Sequence, residues 1–258
     1  VLADQVHWFS GRTMKLTSPK KILIVIPARG GSKGVPRKNL RNLHGITLTE
    51  WAIRSALTIK GEQTIVLSSD SDEILAVADK FDDVIPSKRP DKISGDYVAD
   101  FHVLRHELSK AMTANYMKFD CVVMLQPTSP IRRPLTLQRC VESVVSLNHS
   151  SAWTITRVPT KYHPRKQLQI SDGELSQFSF GPLVVARQEL NETFIRTGVC
   201  YAYSPETVHQ DDWLLGNAPI GIQCDWPHIN IDSEEDLIEA SRLSHEKDGL
   251  LVAKGWKL

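Results

Sequence analysis

ILIVIPARGGSKGVPRKN, residues 22–39, joins an apolar run to a glycine-rich, cationic loop. The apolar run 22–26 predicts a buried strand, and the loop that follows it holds three glycines and four cationic side chains. Glycines let main-chain N–H groups come close to an anion, and the cations surround it with positive charge. A strand that leads into such a loop is suited to hold a triphosphate.

The spacing of this loop excludes two familiar phosphate-binding motifs. In a P-loop the lysine follows the last glycine, whereas Lys33 precedes Gly34. The dinucleotide fingerprint GxGxxG does not fit Gly30, Gly31 and Gly34 either. We therefore expect a phosphate-binding loop of a different kind.

Composition narrows the class of protein. The 258 residues are enough for one α/β domain with a small appendage, and 31 basic against 30 acidic side chains argue against a general nucleic-acid binder. No apolar run approaches the length of a membrane span, so we expect no membrane partner. The cysteines lie far apart without metal-binding spacing, which predicts buried free thiols and a cytoplasmic protein; they are Cys121, Cys140, Cys200 and Cys224.

Strand-like and helix-like segments alternate along most of the chain. This alternation predicts an α/β fold with a mostly parallel sheet and helices on both faces. The expected strands cover residues 22–26, 64–68, 83–86, 119–125, 152–158, 198–203 and 220–223. The expected helices cover residues 47–59, 72–80, 97–114 and 134–147, followed by a last helix capped by Ser233.

Two segments depart from the alternation. Residues 1–18 show no periodicity and are interpreted as a flexible leader, which leaves residues 19–258 as a single domain. Within that domain, residues 160–196 interrupt the pattern with a turn at Ser171-Asp172-Gly173, which predicts a hairpin that leaves the sheet.

A second motif, QPTSP at residues 126–130, follows the continuous apolar run 119–125. On its own it is typical of a turn that ends a strand. In an open parallel sheet, however, ligands bind at the carboxyl ends of the strands, where loop 27–39 is also expected.

Together, loop 27–39 and the QPTSP turn resemble the CMP-sialic acid synthetase (acylneuraminate cytidylyltransferase) family, over about residues 21–247. The resemblance implies a nucleotide-diphospho-sugar-transferase-like fold and a homodimer that uses segment 160–196. It also implies a reaction in which CTP and a 2-keto-3-deoxy sugar acid give a CMP-sugar and pyrophosphate, with one or two Mg²⁺ ions.

The resemblance also assigns residues to the site. Those expected to bind the nucleotide are Arg29, Gly31, Ser32, Lys33, Lys38, Asn39 and Arg89, with Arg29 and Lys33 also catalytic. Those expected to bind the sugar acid are Gln126, Lys166, Arg187 and Tyr201, although the pattern also suits a Tyr201 buried in the core. Asp96 fits a family aspartate, but capping of the helix 97–114 explains it equally well.

The metal ligands implied are Asp232, also catalytic, and Asn230. The family has Asp-Ile-Asp where this chain has Asn230-Ile231-Asp232, so one negative charge is missing. Asp232 also suits a helix-capping role, and Asp70 is a reserve carboxylate. Thr197 likewise replaces a more common asparagine. These departures keep two alternatives open: a cytidylyltransferase for an eight-carbon octulosonate-type acid, and a catalytically silent CTP- or CMP-binding regulator.

Overall fold

The apolar run at the start of the first motif forms the middle of the sheet. Strand β1 (Lys21–Pro27) buries five consecutive residues completely. Because side chains alternate across a strand, Ile22, Ile24 and Ile26 pack into one hydrophobic core and Leu23 and Val25 into another. One short run thus supplies both faces of the sheet.

The computed structural model describes residues 20–31, 34–115, 118–178, 190–210 and 212–255. In these residues, the strands after β1 are β2 (Asn42–Leu43), β3 (Ile46–Thr47), β4 (Glu62–Ser69), β5 (Val84–Lys88), β6 (Cys121–Met124), β7 (Ser151–Arg157), β8 (Leu168–Ser171), β9 (Glu174–Gln177), β10 (Phe194–Tyr203), β11 (Pro219–Gln223), β12 (Ser244–Lys247) and β13 (Leu250–Ala253). The α-helices are α1 (Leu48–Ala56), α2 (Asp72–Leu75), α3 (Asp100–Asn115), α4 (Pro134–Val145), α5 (Pro205–Gln210) and α6 (Glu234–Leu243).

The main sheet has the strand order β11-β7-β10-β6-β1-β4-β5. Strands β6, β1, β4 and β5 are parallel, as are β11 and β7, while β10 runs antiparallel to both of its neighbours. Helices α1, α4 and α6 contribute to the core on one face, and α3 and α5 to the core on the other. The predicted mostly parallel sheet with helices on both faces is confirmed.

The start of α3 differs from the sequence prediction. The helix begins at Asp100, not at Tyr97, because residues 91–97 form a short 3₁₀ helix and turns. Tyr97 is 96% exposed and does not belong to the buried face of the helix. Asp96 is consequently not the cap of this helix and is available for another contact.

The segment that interrupts the alternation contains the hairpin β8–β9. Its two turn residues, Asp172 and Gly173, both have positive φ (52° and 84°), as a tight two-residue hairpin turn requires. Neither strand of this hairpin pairs with the main sheet.

Another hairpin, β12–β13, follows α6 and was not predicted from the sequence. At the start of α6, Ser233 and Asp236 form a reciprocal capping box, which confirms Ser233 as the cap. Among the residues described, none of the helices has the length and apolar character needed to cross a membrane.

Candidate active site

Four parallel strands end at the same edge of the sheet and bring the predicted site residues together. Arg29 follows β1, Asp70 follows β4, Arg89 follows β5 and Gln126 follows β6 at a short distance. This is the edge at which open α/β sheets bind ligands.

The glycine-rich loop is braced by its neighbours. Asp70 accepts a hydrogen bond from the Gly30 N–H (2.7 Å), and the buried Asn39 donates its side-chain amide to the Arg29 carbonyl (2.9 Å). Thr49 in turn donates to the Asn39 carbonyl (2.8 Å). Asp70, which the sequence suggested only as a reserve metal ligand, therefore anchors the loop at Gly30. Asn39 supports the loop at Arg29.

Gly34 is required for a close approach between the loop and a distant segment. A Cβ atom at this position would lie 2.4 Å from the carbonyl oxygen of Asp232, which is closer than real Cβ contacts. The absence of a side chain at Gly34 lets the first motif and the Asp232 segment lie side by side.

Lys38 joins the same two segments by direct contacts. Its Nζ donates to the Ile231 carbonyl (2.9 Å) and to Asp232 Oδ1 (2.8 Å). The Asp232 side chain is 68% exposed, whereas that of Lys38 is only 15% exposed. Lys38 thus supplies a largely buried positive charge that holds an exposed carboxylate.

Two further cations, Arg29 and Arg89, lie at the same edge of the sheet. Arg29 forms an ion pair with Asp96, the carboxylate released by the late start of α3. Arg89 is buried and donates to the Ser68 carbonyl (2.8 Å). Burial lowers the pKa of Arg89, while the carboxylates of Asp70, Glu107 and Asp100 act in the opposite direction.

These groups surround an open cavity of about 260 Å³, hereafter the loop cavity. Its polar lining comes from separate segments of the chain: Arg29, Gly31, Lys38, Asn39, Arg89, Asp96, Asp100, Gln126 and Thr128. The predicted nucleotide residues that the structure describes, together with Gln126, all line this one cavity.

The QPTSP turn is held by a buried arginine. Arg132 is 2% exposed and donates to the Gln126 and Val199 carbonyls. Burial lowers its pKa to about 10. Ser129 adds hydrogen bonds to the Thr197 carbonyl (3.1 Å) and to Asn230 Oδ1 (3.2 Å), so the turn is tied to both β10 and the Asp232 segment.

A second cavity, of about 370 Å³, lies next to the loop cavity and is hereafter the aromatic cavity. Trp153 and Tyr201 pack edge to face on one wall, with ring centroids 5.2 Å apart. Arg196 also lines it, and Asp100 and Val98 line both cavities. Tyr201 is at once a buried core residue and an aromatic residue that lines this cavity.

Asp100 was not predicted as a site residue. Its carboxylate accepts a hydrogen bond from Gln126 Nε2 (3.2 Å). Burial raises the pKa of Asp100, and the positive charges of Arg196 and Arg89 and the Gln126 hydrogen bond partly offset this rise. Asp100 begins α3 and Arg196 lies on β10, 96 positions later, so the two meet only in the folded aromatic cavity.

Asn230 and Asp232 lie side by side, as the alternation of an extended segment predicts. Asn230 Nδ2 donates to Asp232 Oδ2 (2.6 Å), while its oxygen accepts from Ser129. In the part of the chain that is described, no cluster of three or more His, Cys, Asp or Glu side chains could hold a metal ion. A metal at Asp232 would therefore complete its coordination with water or with oxygens of a bound ligand.

The remaining predicted residues lie elsewhere. Lys166 is exposed in the 3₁₀ turn Pro164–Lys166 and lines neither cavity. Ser32, Lys33 and Arg187 lie outside the described residues. Thr197 turns its hydroxyl into the core, toward Thr154 Oγ1 (2.8 Å), so its departure from asparagine affects packing behind the cavities.

The chain is similar to several known proteins. The chain is 39% identical over 122 residues to a CMP-N,N'-diacetyllegionaminic acid synthase of Legionella pneumophila. The matched residues make up 47% of this chain and 52% of that protein. It is 26% identical over 236 residues to a pseudaminic acid cytidylyltransferase of Campylobacter jejuni, a match that covers 88% of this chain and 98% of that protein. The fold resembles that of a CMP:2-keto-3-deoxy-manno-octonic acid synthetase complexed with CTP, with a TM-score of 0.62 at 17% identity. The match covers 87% of this chain and 98% of that chain.

The sequence profile of a family described as cytidylyltransferase matches residues 23–197, about two thirds of the chain. This match spans the glycine-rich loop, the QPTSP turn and those cavity-lining residues that precede Thr197. The chain belongs to the cytidylyltransferase family.

Proposed function

We propose that this enzyme transfers CMP from CTP to the anomeric hydroxyl of a nine-carbon 2-keto-3-deoxy sugar acid and releases pyrophosphate. The observation that carries the proposal is the pair of adjoining cavities: one is lined by cations at the glycine-rich loop, and the other by aromatic rings and Arg196. The names of the relatives support a sialic-acid-like acceptor.

In this proposal the loop cavity holds the nucleotide. Arg29, Lys38 and Arg89 present three positive charges to it. Negative charge develops on the α-phosphate and on the departing pyrophosphate, and fixed cations stabilise such charge most effectively where water is partly excluded. Gly31 and the N–H groups of the loop add donors for the phosphates, and Ser32 and Lys33 are proposed to contribute from the same loop.

We propose that Asp232 supplies the protein carboxylate for Mg²⁺, with the phosphates of CTP supplying further ligands. Mg²⁺ commonly takes only one or two carboxylates besides phosphate and water, and the exposed Asp232 fits this limited role. Asn230, in contact with Asp232, contributes a neutral oxygen or holds Asp232 in place. When bound, Mg²⁺ neutralises phosphate charge and orients the triphosphate.

The aromatic cavity is proposed to hold the acceptor acid. Trp153 and Tyr201 offer flat apolar surfaces for the faces of a sugar ring and its substituents. Gln126 lines the loop cavity and is hydrogen-bonded to Asp100, which lines both cavities. The acceptor hydroxyl can then attack the α-phosphate directly, so no covalent enzyme intermediate is required. Lys166 and Arg187 are proposed to reach the acid from a second copy of the chain.

We also propose a homodimer built on hairpin β8–β9. Leu168, Ile170 and Leu175 share one face of the hairpin by register and are 58%, 73% and 66% exposed. An apolar face of this kind on a projecting hairpin is typical of an interface. The four free, buried thiols support the cytoplasm as the compartment.

The direct test is pyrophosphate release from CTP and Mg²⁺ with a panel of eight- and nine-carbon 2-keto acids. We expect release with one or more nine-carbon acids. Release with eight-carbon acids alone would favour the octulosonate alternative. CTP binding without release from any acid would favour the silent regulator.

A pair of variants separates catalysis at this site from contaminating activity. Arg29→Gln should reduce pyrophosphate release by about 100-fold or more, since it removes a charge aimed at the phosphates. Arg242→Gln, on an exposed and solvated part of α6, should leave release unchanged.

A further inference from the structure

Asp100 occupies the junction between the two cavities. It lines both of them, and its carboxylate is joined to Gln126 by the 3.2 Å hydrogen bond. If CTP and the acid occupy adjoining cavities, the α-phosphate and the attacking hydroxyl meet at this junction.

Asp100 differs from the other carboxylates that line the cavities. Asp96, in the loop cavity, pairs with Arg29, and Asp212, in the aromatic cavity, pairs with Arg105 (2.8 Å). Among the described residues, Asp100 has no ion-pair partner within 4 Å and only the neutral Gln126 as a side-chain hydrogen-bond partner. It is thus a carboxylate at the junction that no structural ion pair engages.

Arg196 stands near Asp100 in the aromatic cavity, close enough for its charge to act on the carboxylate. In a 2-keto acid that has closed to its ring form, the carboxylate and the anomeric hydroxyl are attached to the same carbon. A cation for the carboxylate and a base for the hydroxyl must therefore be neighbours. Arg196 and Asp100 satisfy this requirement.

We propose that Asp100 accepts the proton of the attacking anomeric hydroxyl while Arg196 binds the carboxylate on the same carbon. This inference rests on the proposed function. As the hydroxyl oxygen forms its bond to the α-phosphorus, its proton passes to an Asp100 oxygen, and the bond from the α-phosphorus to the bridging oxygen breaks. The bond electrons leave with pyrophosphate, and Asp100 later returns the proton to water.

The surroundings of Asp100 suit this role. The groups that face it are Gln126, Arg89, Arg196, Tyr201 and Tyr203. Burial raises the pKa of Asp100 above that of a free aspartate, which brings it nearer to the operating pH of a general base. A substrate carboxylate bound at Arg196 would place a further negative charge beside Asp100, raising its pKa again when the acceptor is present.

The test is Asp100→Asn, which keeps the size of the side chain and removes the base. We expect kcat for pyrophosphate release to fall about 100-fold or more, with KM for CTP changed by less than about threefold. In the wild type, kcat should fall at acid pH as Asp100 becomes protonated, and the residual activity of the variant should lack this acid limb. Asp100→Glu should recover part of the rate.

Asp72→Asn is the matched control, because Asp72 also begins a helix but is exposed and pairs with Lys88. It should leave both kcat and the pH profile unchanged. Arg196→Gln should raise KM for the acid about tenfold or more without changing CTP binding. Arg196→Lys should bring KM for the acid part of the way back to the wild-type value.

A kcat for Asp100→Asn within about threefold of wild type, or an unchanged acid limb, would overturn the assignment of Asp100. An unchanged KM for the acid in Arg196→Gln would overturn that of Arg196. Both results presuppose a wild-type enzyme that releases pyrophosphate; if the wild type releases none with any acid, the proposed function itself has failed.

Discussion

Lys38 and Asp232, 194 positions apart in the chain, form an ion pair with 2.8 Å between Nζ and Oδ1. The pair connects the glycine-rich loop to the segment proposed to bind Mg²⁺. It also keeps the carboxylate in position before any metal or nucleotide arrives. Lys38 therefore links the glycine-rich loop mechanically to the segment proposed to bind Mg²⁺.

The first prediction concerns this lysine. Lys38→Met should raise KM for CTP and the Mg²⁺ concentration needed for half-maximal rate, each about tenfold or more, because it removes a positive charge from the loop cavity and the hydrogen bond that holds Asp232. Steady-state titrations of CTP and Mg²⁺ measure the two effects. Lys60→Met, before β4 at the opposite edge of the sheet, is the control. A change in CTP affinity alone would contradict the coupling.

The second prediction concerns Gly34. Gly34→Ala should push the loop away from Asp232, because the added carbon would lie 2.4 Å from a carbonyl oxygen. We expect a loss of about 1–3 kcal/mol in the free energy of unfolding, measured by urea denaturation. Gly31→Ala is the control for stability, since nothing lies within 4 Å of its added carbon. Equal stability of the two variants would show that the loop adapts freely.

The fold was predictable because strong local patterns determine it. The run 22–26 is apolar at every position, which indicates a strand buried on both faces, and the alternation of elements then leaves few topologies. The start of α3 was not predictable, because Tyr97 extends the helical spacing of Phe101 and Leu104. The turns at residues 91–97 override that spacing.

The site was predictable where one short segment carries it. Arg29 and Arg89 fall into one cavity because each follows a parallel strand, and Lys38 joins them from the far end of the glycine-rich loop. Asp100 and Arg196 were missed, since Asp100 begins α3 and Arg196 lies on β10, and the two meet only in the folded aromatic cavity. The sequence contains no signal that Arg132 would point inward to the Gln126 and Val199 carbonyls.

The third prediction concerns that inward-pointing arginine. Arg132→Met should cost about 1–3 kcal/mol of unfolding free energy, because the Gln126 and Val199 carbonyls lose their donor inside the protein. It should also raise KM for the acid, since the Gln126 turn loosens. Arg157→Met removes only an exposed ion pair with Glu192 and should cost less than about 1 kcal/mol. Similar losses in the two variants would contradict a supporting role for Arg132.

The fourth prediction concerns the proposed dimer. Replacing Ile170 and Leu175 together by Asp should give a monomer in sedimentation velocity, because both side chains project from the apolar face of hairpin β8–β9. Gln169→Asp alters the opposite face of the same strand and should leave a dimer. A wild-type monomer, or a double variant that still dimerises, would contradict the proposed interface.

The last prediction follows from Glu50, a buried carboxylate on α1. Burial raises its pKa, but hydrogen bonds and charges from Lys80 (2.8 Å) and Arg54 (2.9 Å) outweigh burial and lower the pKa below 4.5. The folded state thus favours the ionised form, so Glu50 stabilises the fold above pH 4.5 and loses this contribution as pH falls through its lowered pKa. Glu50→Gln should therefore be less stable than wild type by about 1–3 kcal/mol near neutral pH, with the difference shrinking under acid conditions. Urea denaturation across this range measures it, with Glu62→Gln, an exposed residue 3.9 Å from Lys21, as the control. A difference that stays constant down to acid pH would mean that packing, and not the charge of Glu50, accounts for the loss.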